Sequence, residues 1–248
     1  FAVDKSGSMD RDLASVISNF GVFVSTMVNL DSDFHVAFVV RDDGCINGSE
    51  LFIDGTFSES GAVTTVGAMI EGQAGSLTER GFSLAEVALA ETGAGGCNEG
   101  FLRDDAELHI VGVSDEPEQS VNSWSHYVSL FQGMKRNPDD VVIHAVGGDY
   151  PSGCADNAPY TGFYEATVAT GGQFLSICAS DWASHLAALA EASAGLMNSF
   201  ALTTDPVPET ISVNVDGVTR TLGWSYEDSI NSVIFDSDYV PEGGASIE

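Results

Sequence analysis

Phe1–Asp10 reads FAVDKSGSMD: an apolar start, then Asp4, Ser6 and Ser8 on alternate residues, then at once a helical pattern. Apolar side chains recur at Leu13, Val16, Ile17, Phe20, Phe23, Val24, Met27, Val28 and Leu30, a spacing that lines one side of a helix. The opening residues therefore read as a buried strand that Asp4 closes, and Gly7 permits a tight loop into the helix. A carboxylate and two hydroxyls thus stand where strand gives way to helix.

The alternation continues downstream. FHVAFVV (34–40), bounded by Asp33 and by Asp42, Asp43 and Gly44, is predicted to be a strand buried on both faces, and ELFIDG (50–55) a shorter one. SLAEVALAE (83–91), VNSWSHYVSLFQGMK (121–135), TGFYEATVATGG (161–172) and DWASHLAALAEASAGLM (181–197) read as helices. ELHIVGV (107–113), DDVVIHAVGG (139–148) and QFLSIC (173–178) read as strands between them. Strands alternating with helices imply an α/β fold: a doubly wound, mostly parallel sheet covered on both faces. Ligands bind such sheets at the carboxyl ends of strands, near the switch in strand order.

From about Phe200 the texture changes. TISVNVDG, TRTLGWSY and NSVIFDS, separated by Asp-Gly and Asn-rich turns, read as a small antiparallel β appendage, with Pro206 and Pro208 in the linker. The expected division is an α/β domain over 1–200 and a β module or spacer over 201–248. Both ends read as cuts in a longer chain with further domains, so a signal peptide or anchor would lie outside this piece.

Composition narrows the function classes. The 248 residues carry 37 Asp and Glu against 8 Lys and Arg, a net charge of −29, which disfavours nucleic acid and anionic lipid and attracts divalent cations. At 44% hydrophobic and 18% charged the chain can bury a real core. No apolar run approaches the roughly 20 residues needed to span a bilayer. Cys45, Cys97, Cys154 and Cys178 lack C-x-x-C spacing and lie among Gly, Asp and Asn. Two disulfides in an oxidising compartment is the reading preferred over four reduced thiols. Cys45 with Cys97 and Cys154 with Cys178 is the preferred pairing of the three possible.

Asp4, Ser6 and Ser8 are hard oxygen donors suited to Mg²⁺, Mn²⁺ or Ca²⁺. The competing reading makes Ser8 or Asp10 an N-cap of the following helix. Two distant residues bear on the choice. Asp115 follows the apolar strand 107–113 closely, and Thr78 stands before the helix at 83–91, in a loop that a doubly wound sheet brings to the same edge.

Asp4-x-Ser6-x-Ser8, then a lone Thr before a helix, then an Asp at the end of a later strand, resembles the von Willebrand factor type A domain, over roughly Phe1 to Phe200 in element order. The resemblance implies a metal-ion-dependent adhesion site of Asp4, Ser6, Ser8, Thr78 and Asp115 holding one divalent cation, Mg²⁺ first. It implies direct ligation by Ser6 and Ser8, ligation often through water by Asp4 and Asp115, and either mode for Thr78. It also implies an open coordination position for an Asp or Glu carboxylate of a protein partner, in adhesion or assembly at a bacterial surface or in a secreted protein. Glu116 and Leu77 stand where the family often has Gly. Glu116 is therefore expected around the metal as an added acceptor that keeps Ca²⁺ and Mn²⁺ open, with Gly7 shaping the loop.

Other chemistry finds less support. His35, His109, His126, His144 and His185 show no zinc-ligand spacing, and the three in strands read as satisfied core or near-surface side chains. A phosphohydrolase of the haloacid dehalogenase type would want a second Asp where Ser6 stands. No nucleophile elbow, P-loop or dinucleotide fingerprint is present. The expectation is a non-enzymatic, extracellular, cell-surface or periplasmic domain, the alternative being a purely structural cation site.

Overall fold

The computed structural model describes all residues except 72–78, 195–198, 203, 205, 229–230, 237–238, 240, 242–245 and 248. Its centre is a parallel four-stranded sheet in the order β1 (Ala2–Val3), β2 (Leu108–Ser114), β3 (Val141–Gly147) and β4 (Phe174–Ser176). The helices are α1 (Asp10–Asn29), α2 (Glu59–Glu71), α3 (Gly81–Ala90), α4 (Trp124–Gln132), α5 (Phe163–Thr170) and α6 (Trp182–Ser193).

The segment 34–40 flanks β1 on its other side, but as bridges and not as a full strand. Ala2 pairs with Val39 in parallel, and Val36 with Ile53 antiparallel. β1 is only two residues long, so it offers 34–40 a short ladder, although Phe38 and Val40 are as buried as a central strand requires. With these segments included, the chain runs outward from β1 in both directions. The order therefore reverses at the β1–β2 junction, the switch point at which open α/β sheets bind ligands.

Alternation along the strands sorts the core onto two faces. Val111, Val113 and Val146 join Leu13, Phe20, Val24, Val66 and Leu186 on the side of α1, α2 and α6. Leu108, Ile110, Val141, Ile143 and Ala145 join Phe82, Tyr127, Phe131 and Phe163 on the side of α3, α4 and α5. On that second side the aromatic layer lies directly on glycine. A Cβ on Gly112 would come within 2.4 Å of the Phe163 ring, and one on Gly147 within 2.4 Å of Tyr160. Phe163 in turn stacks on Phe82 at 3.9 Å.

α2 was not among the expected helices. Its buried Ala62, Val66, Met69 and Ile70 do follow helical spacing, but Thr64, Thr65, Gly61 and Gly67 dilute the apolar signal. Packing on α1 stabilises it, so tertiary burial decides the segment and not intrinsic propensity.

Disulfides join Cys45 to Cys97 and Cys154 to Cys178. The first closes the loop around Asn98, a buried side chain that donates to Gly44 O at 2.8 Å and Ala88 O at 2.9 Å. The tail forms two small antiparallel sheets: β5 (Ser199–Ala201), β9 (Ser232–Phe235) and β8 (Trp224–Glu227), in that order, and the hairpin of β6 (Val213–Val215) and β7 (Val218–Arg220). Asp216 and Gly217 turn the hairpin with φ of 51° and 75°, the paired positive values that an Asp-Gly turn supplies. Val213, Val215, Val233 and Phe235 form a core of their own.

Candidate metal centre

Asp4 leaves β1 at its carboxyl end, beside β2, where Val3 registers with Val113. One step further along the same register, Ser114 Oγ donates to Asp4 Oδ2 at 2.9 Å. The other donors to Asp4 come from its own loop: Ser6 N to Oδ1 at 2.7 Å and Ser6 Oγ to Oδ2 at 3.2 Å. Ser6 Oγ also lies 3.0 Å from Ser8 Oγ. Asp4, Ser6 and Ser8 are thus brought together as one chain of oxygens, buried at Asp4 and open to solvent at Ser8. Gly7, exposed and with no heavy atom within 4 Å of a built Cβ, leaves the loop surface clear.

The N-cap reading of Ser8 and Asp10 is not what forms. Met9 precedes α1 as its cap, no side-chain cap bond is made, and Ser8 turns its hydroxyl to Ser6. A helix start that leaves a nearby serine uncommitted has its hydroxyl available for another acceptor or ion.

Asp115 follows β2 directly and is only 6% exposed, yet its Oδ1 has no hydrogen-bond partner among the described residues. A buried carboxylate oxygen without a donor is destabilising unless something else neutralises it. Its backbone is fixed, since Ala158 N donates to Asp115 O at 3.0 Å. Glu116 is exposed, with its N bonded to Ser114 Oγ at 3.2 Å. Thr78 lies outside the described residues. Its neighbour Glu79 accepts from Gln119 Nε2 at 2.7 Å, and Gln119 N donates to Glu79 O at 2.7 Å, so the loop after β2 is tied to the entry of α3.

The electrostatics are those of crowded acids. Burial pushes the Asp4 carboxyl up, against the pull of its hydrogen bonds from Ser6 and Ser114 and with a further push from Glu79. Burial and then the charge of Asp115 raise Asp12, a residue of the first turn of α1. Burial likewise raises Glu118, which accepts from Ser120 N and Phe82 N. Ser114, Asp12, Glu79 and Glu118 were not among the sequence candidates. Ser114 ends an otherwise apolar strand, and the other three sit among many surface acids, so pattern alone did not separate them.

Asp4, Ser6 and Ser8 are linked oxygen donors, and Asp115, at the end of the neighbouring strand, carries a buried oxygen with no partner among the described residues; donors of this type suit a hard divalent cation. Among the described residues no group of three or more His, Cys, Asp or Glu side chains is arranged to hold a metal.

No protein-family model matches the chain, and no curated protein matches it. Among solved structures, those of proximal thread matrix protein 1 from the mussel byssus align over 77% of this chain. Two forms align at 14% identity with TM-scores of 0.38 and 0.41, the latter having a zinc-occupied MIDAS motif, and another crystal form aligns at 12% and 0.39. This chain spans 43–44% of the length of those chains.

Proposed function

We propose that the α/β part of this chain is a von Willebrand factor type A-like domain that binds one divalent cation, Mg²⁺ first, through Asp4, Ser6, Ser8, Thr78 and Asp115. The cation presents itself to an Asp or Glu carboxylate of a protein partner. The observation that carries the reading is the partnerless buried Oδ1 of Asp115 at the strand end next to the Asp4–Ser6–Ser8 chain. With Ser6 and Ser8 ligating directly and Asp4 and Asp115 acting through water, the ion would have only neutral protein ligands in direct contact. It would therefore attract an incoming carboxylate strongly in a partly desolvated setting. The domain acts as a binding module. Two disulfides favour an extracellular or secreted setting.

The test is Mg²⁺, Ca²⁺ and Mn²⁺ titration of the chain, followed by thermal unfolding. Cation at a hundred times its dissociation constant raises stability by about 2.7 kcal/mol, and the double variant Asp4→Ala, Ser6→Ala loses that gain. An equal gain in the variant refutes the site. With Mn²⁺ bound, added acetate lowers the relaxation enhancement of solvent water if a carboxylate takes a coordination position. Unchanged relaxation would leave a structural cation site and end the adhesion reading.

A further inference from the structure

At the other end of the same strands lies a polar chain that the proposed function does not use. His109 on β2 and His144 on β3 point to the α1–α6 side of the sheet, and His109 Nδ1 lies 2.9 Å from His144 Nε2. Gln173 N donates to His144 Nδ1 at 3.0 Å, and His109 Nε2 lies 3.0 Å from Glu107 Oε2. A backbone N–H can only donate, so His144 Nδ1 is bare and its proton sits on Nε2. That proton points at His109 Nδ1, which must accept, so the His109 proton sits on Nε2 and faces the carboxylate. One backbone amide thus fixes both tautomers. Each ring has all its nitrogens engaged, and each is neutral.

We propose that Glu107, His109 and His144 form an acid-sensitive latch that ties β2, β3 and the entry to β4 together at neutral pH and releases them on protonation. A second proton on His109 can go only to Nδ1, where it meets the N–H of His144. A second proton on His144 can go only to Nδ1, where it meets the N–H of Gln173. Either event turns an attractive contact into two opposed donors. Burial, then the neighbouring His109, already hold the fully buried His144 well below the ordinary imidazole range. Asp33, His35, Arg103, Asp105 and Glu107 line the 440 Å³ cavity beside His109, and of these only Glu107 bonds the pair. Arg103 is committed to Asp33 at 2.7 Å.

The sign follows from that depression. A histidine with a lowered folded pKa stabilises the fold above its unfolded value of about 6.5, and the contribution is lost as pH falls below it. The unfolding constant then rises up to about ten-fold per pH unit for each histidine involved. Asp4, Asp12 and Glu118, raised by burial, act in the opposite direction, and Glu107, Asp54 and Asp181, lowered by their hydrogen bonds, in the same one, so the latch is read as a difference between variants.

The experiment uses the full chain in chelator, which removes any cation contribution. Nitrogen-15 spectra of the imidazoles are expected to place the proton on Nε2 of both His109 and His144 and to show His144 neutral well below pH 6.5. The Gln173 amide is expected to exchange faster with solvent as pH falls, against the general slowing of amide exchange in acid. His109→Gln, at the partly exposed end, is expected to fold, and His144→Gln, whose amide can still accept from Gln173 N, is expected to flatten the acid-side slope of stability by about one proton. A proton on Nδ1 of His144, an ordinary His144 titration, or a slope unchanged in His144→Gln would each overturn the latch.

Discussion

The two ends of the central sheet treat buried polar groups in opposite ways. At the amino end every ring nitrogen of His109 and His144 has a partner. At the carboxyl end Asp115 keeps a buried oxygen with no partner among the described residues, and burial with the charge of Glu79 raises Asp4. The two ends share β2, with β1 completing one and β3 the other. A completed network rigidifies and specifies the sheet, whereas an incomplete one stores an unfavourable energy that a ligand can release. The difference separates what holds the protein together from what the proposed centre would bind.

The largest effect expected from breaking this contrast is at the completed end. His144→Ala removes a fully buried ring and strands both Gln173 N and His109 Nδ1, which together should lower stability by about 3 kcal/mol. The urea midpoint at pH 7.5 measures it, and the slope m should be unchanged if the native state stays compact. At the incomplete end the same kind of truncation should behave differently. Asp115→Asn replaces a buried carboxylate whose Oδ1 has no partner among the described residues, so without cation the variant should be as stable as the parent or more so, by about 1 kcal/mol. It should also lose most of the stabilisation by Mg²⁺. A loss of 2 kcal/mol or more in chelator would mean that Asp115 is structural and that the two ends do not differ in kind.

Much of the α/β layout was legible because strand and helix periods are local properties. The apolar stripe from Leu13 to Leu30 became α1, and 107–113 and 139–148 became β2 and β3. What was not legible depends on partners. The run 34–40 is apolar enough for a central strand, but its ladder is limited by a two-residue neighbour that its own composition does not record. α2 owes its existence to the surface of α1. In the site, the spacing of Asp4, Ser6 and Ser8 announces itself because alternate oxygens on a glycine loop are rare. The support of Asp4 by Ser114 arises across a strand pair 110 residues apart in sequence. The histidines were read as satisfied, and they are, but the direction of their hydrogen bonds comes from an amide in another strand connection.

The smallest expected change in stability is also the cleanest probe of the open end. Ser8 is exposed, caps no helix and, among the described residues, bonds only to Ser6 Oγ, so Ser8→Ala should alter stability in chelator by less than about 0.5 kcal/mol. A hydroxyl that contributes so little to folding has no indirect route by which its removal could weaken a distant site. Any fall in cation affinity therefore reports ligation itself. Calorimetric titration with Mg²⁺ should show affinity lower by about ten-fold, equivalent to one lost ligand contact of about 1.4 kcal/mol. Unchanged affinity would remove Ser8 from the ligand set and confine the centre to the buried carboxylates. The ion would then be held too deep to be offered to a partner, and the open end of the sheet would be a structural site like the closed one.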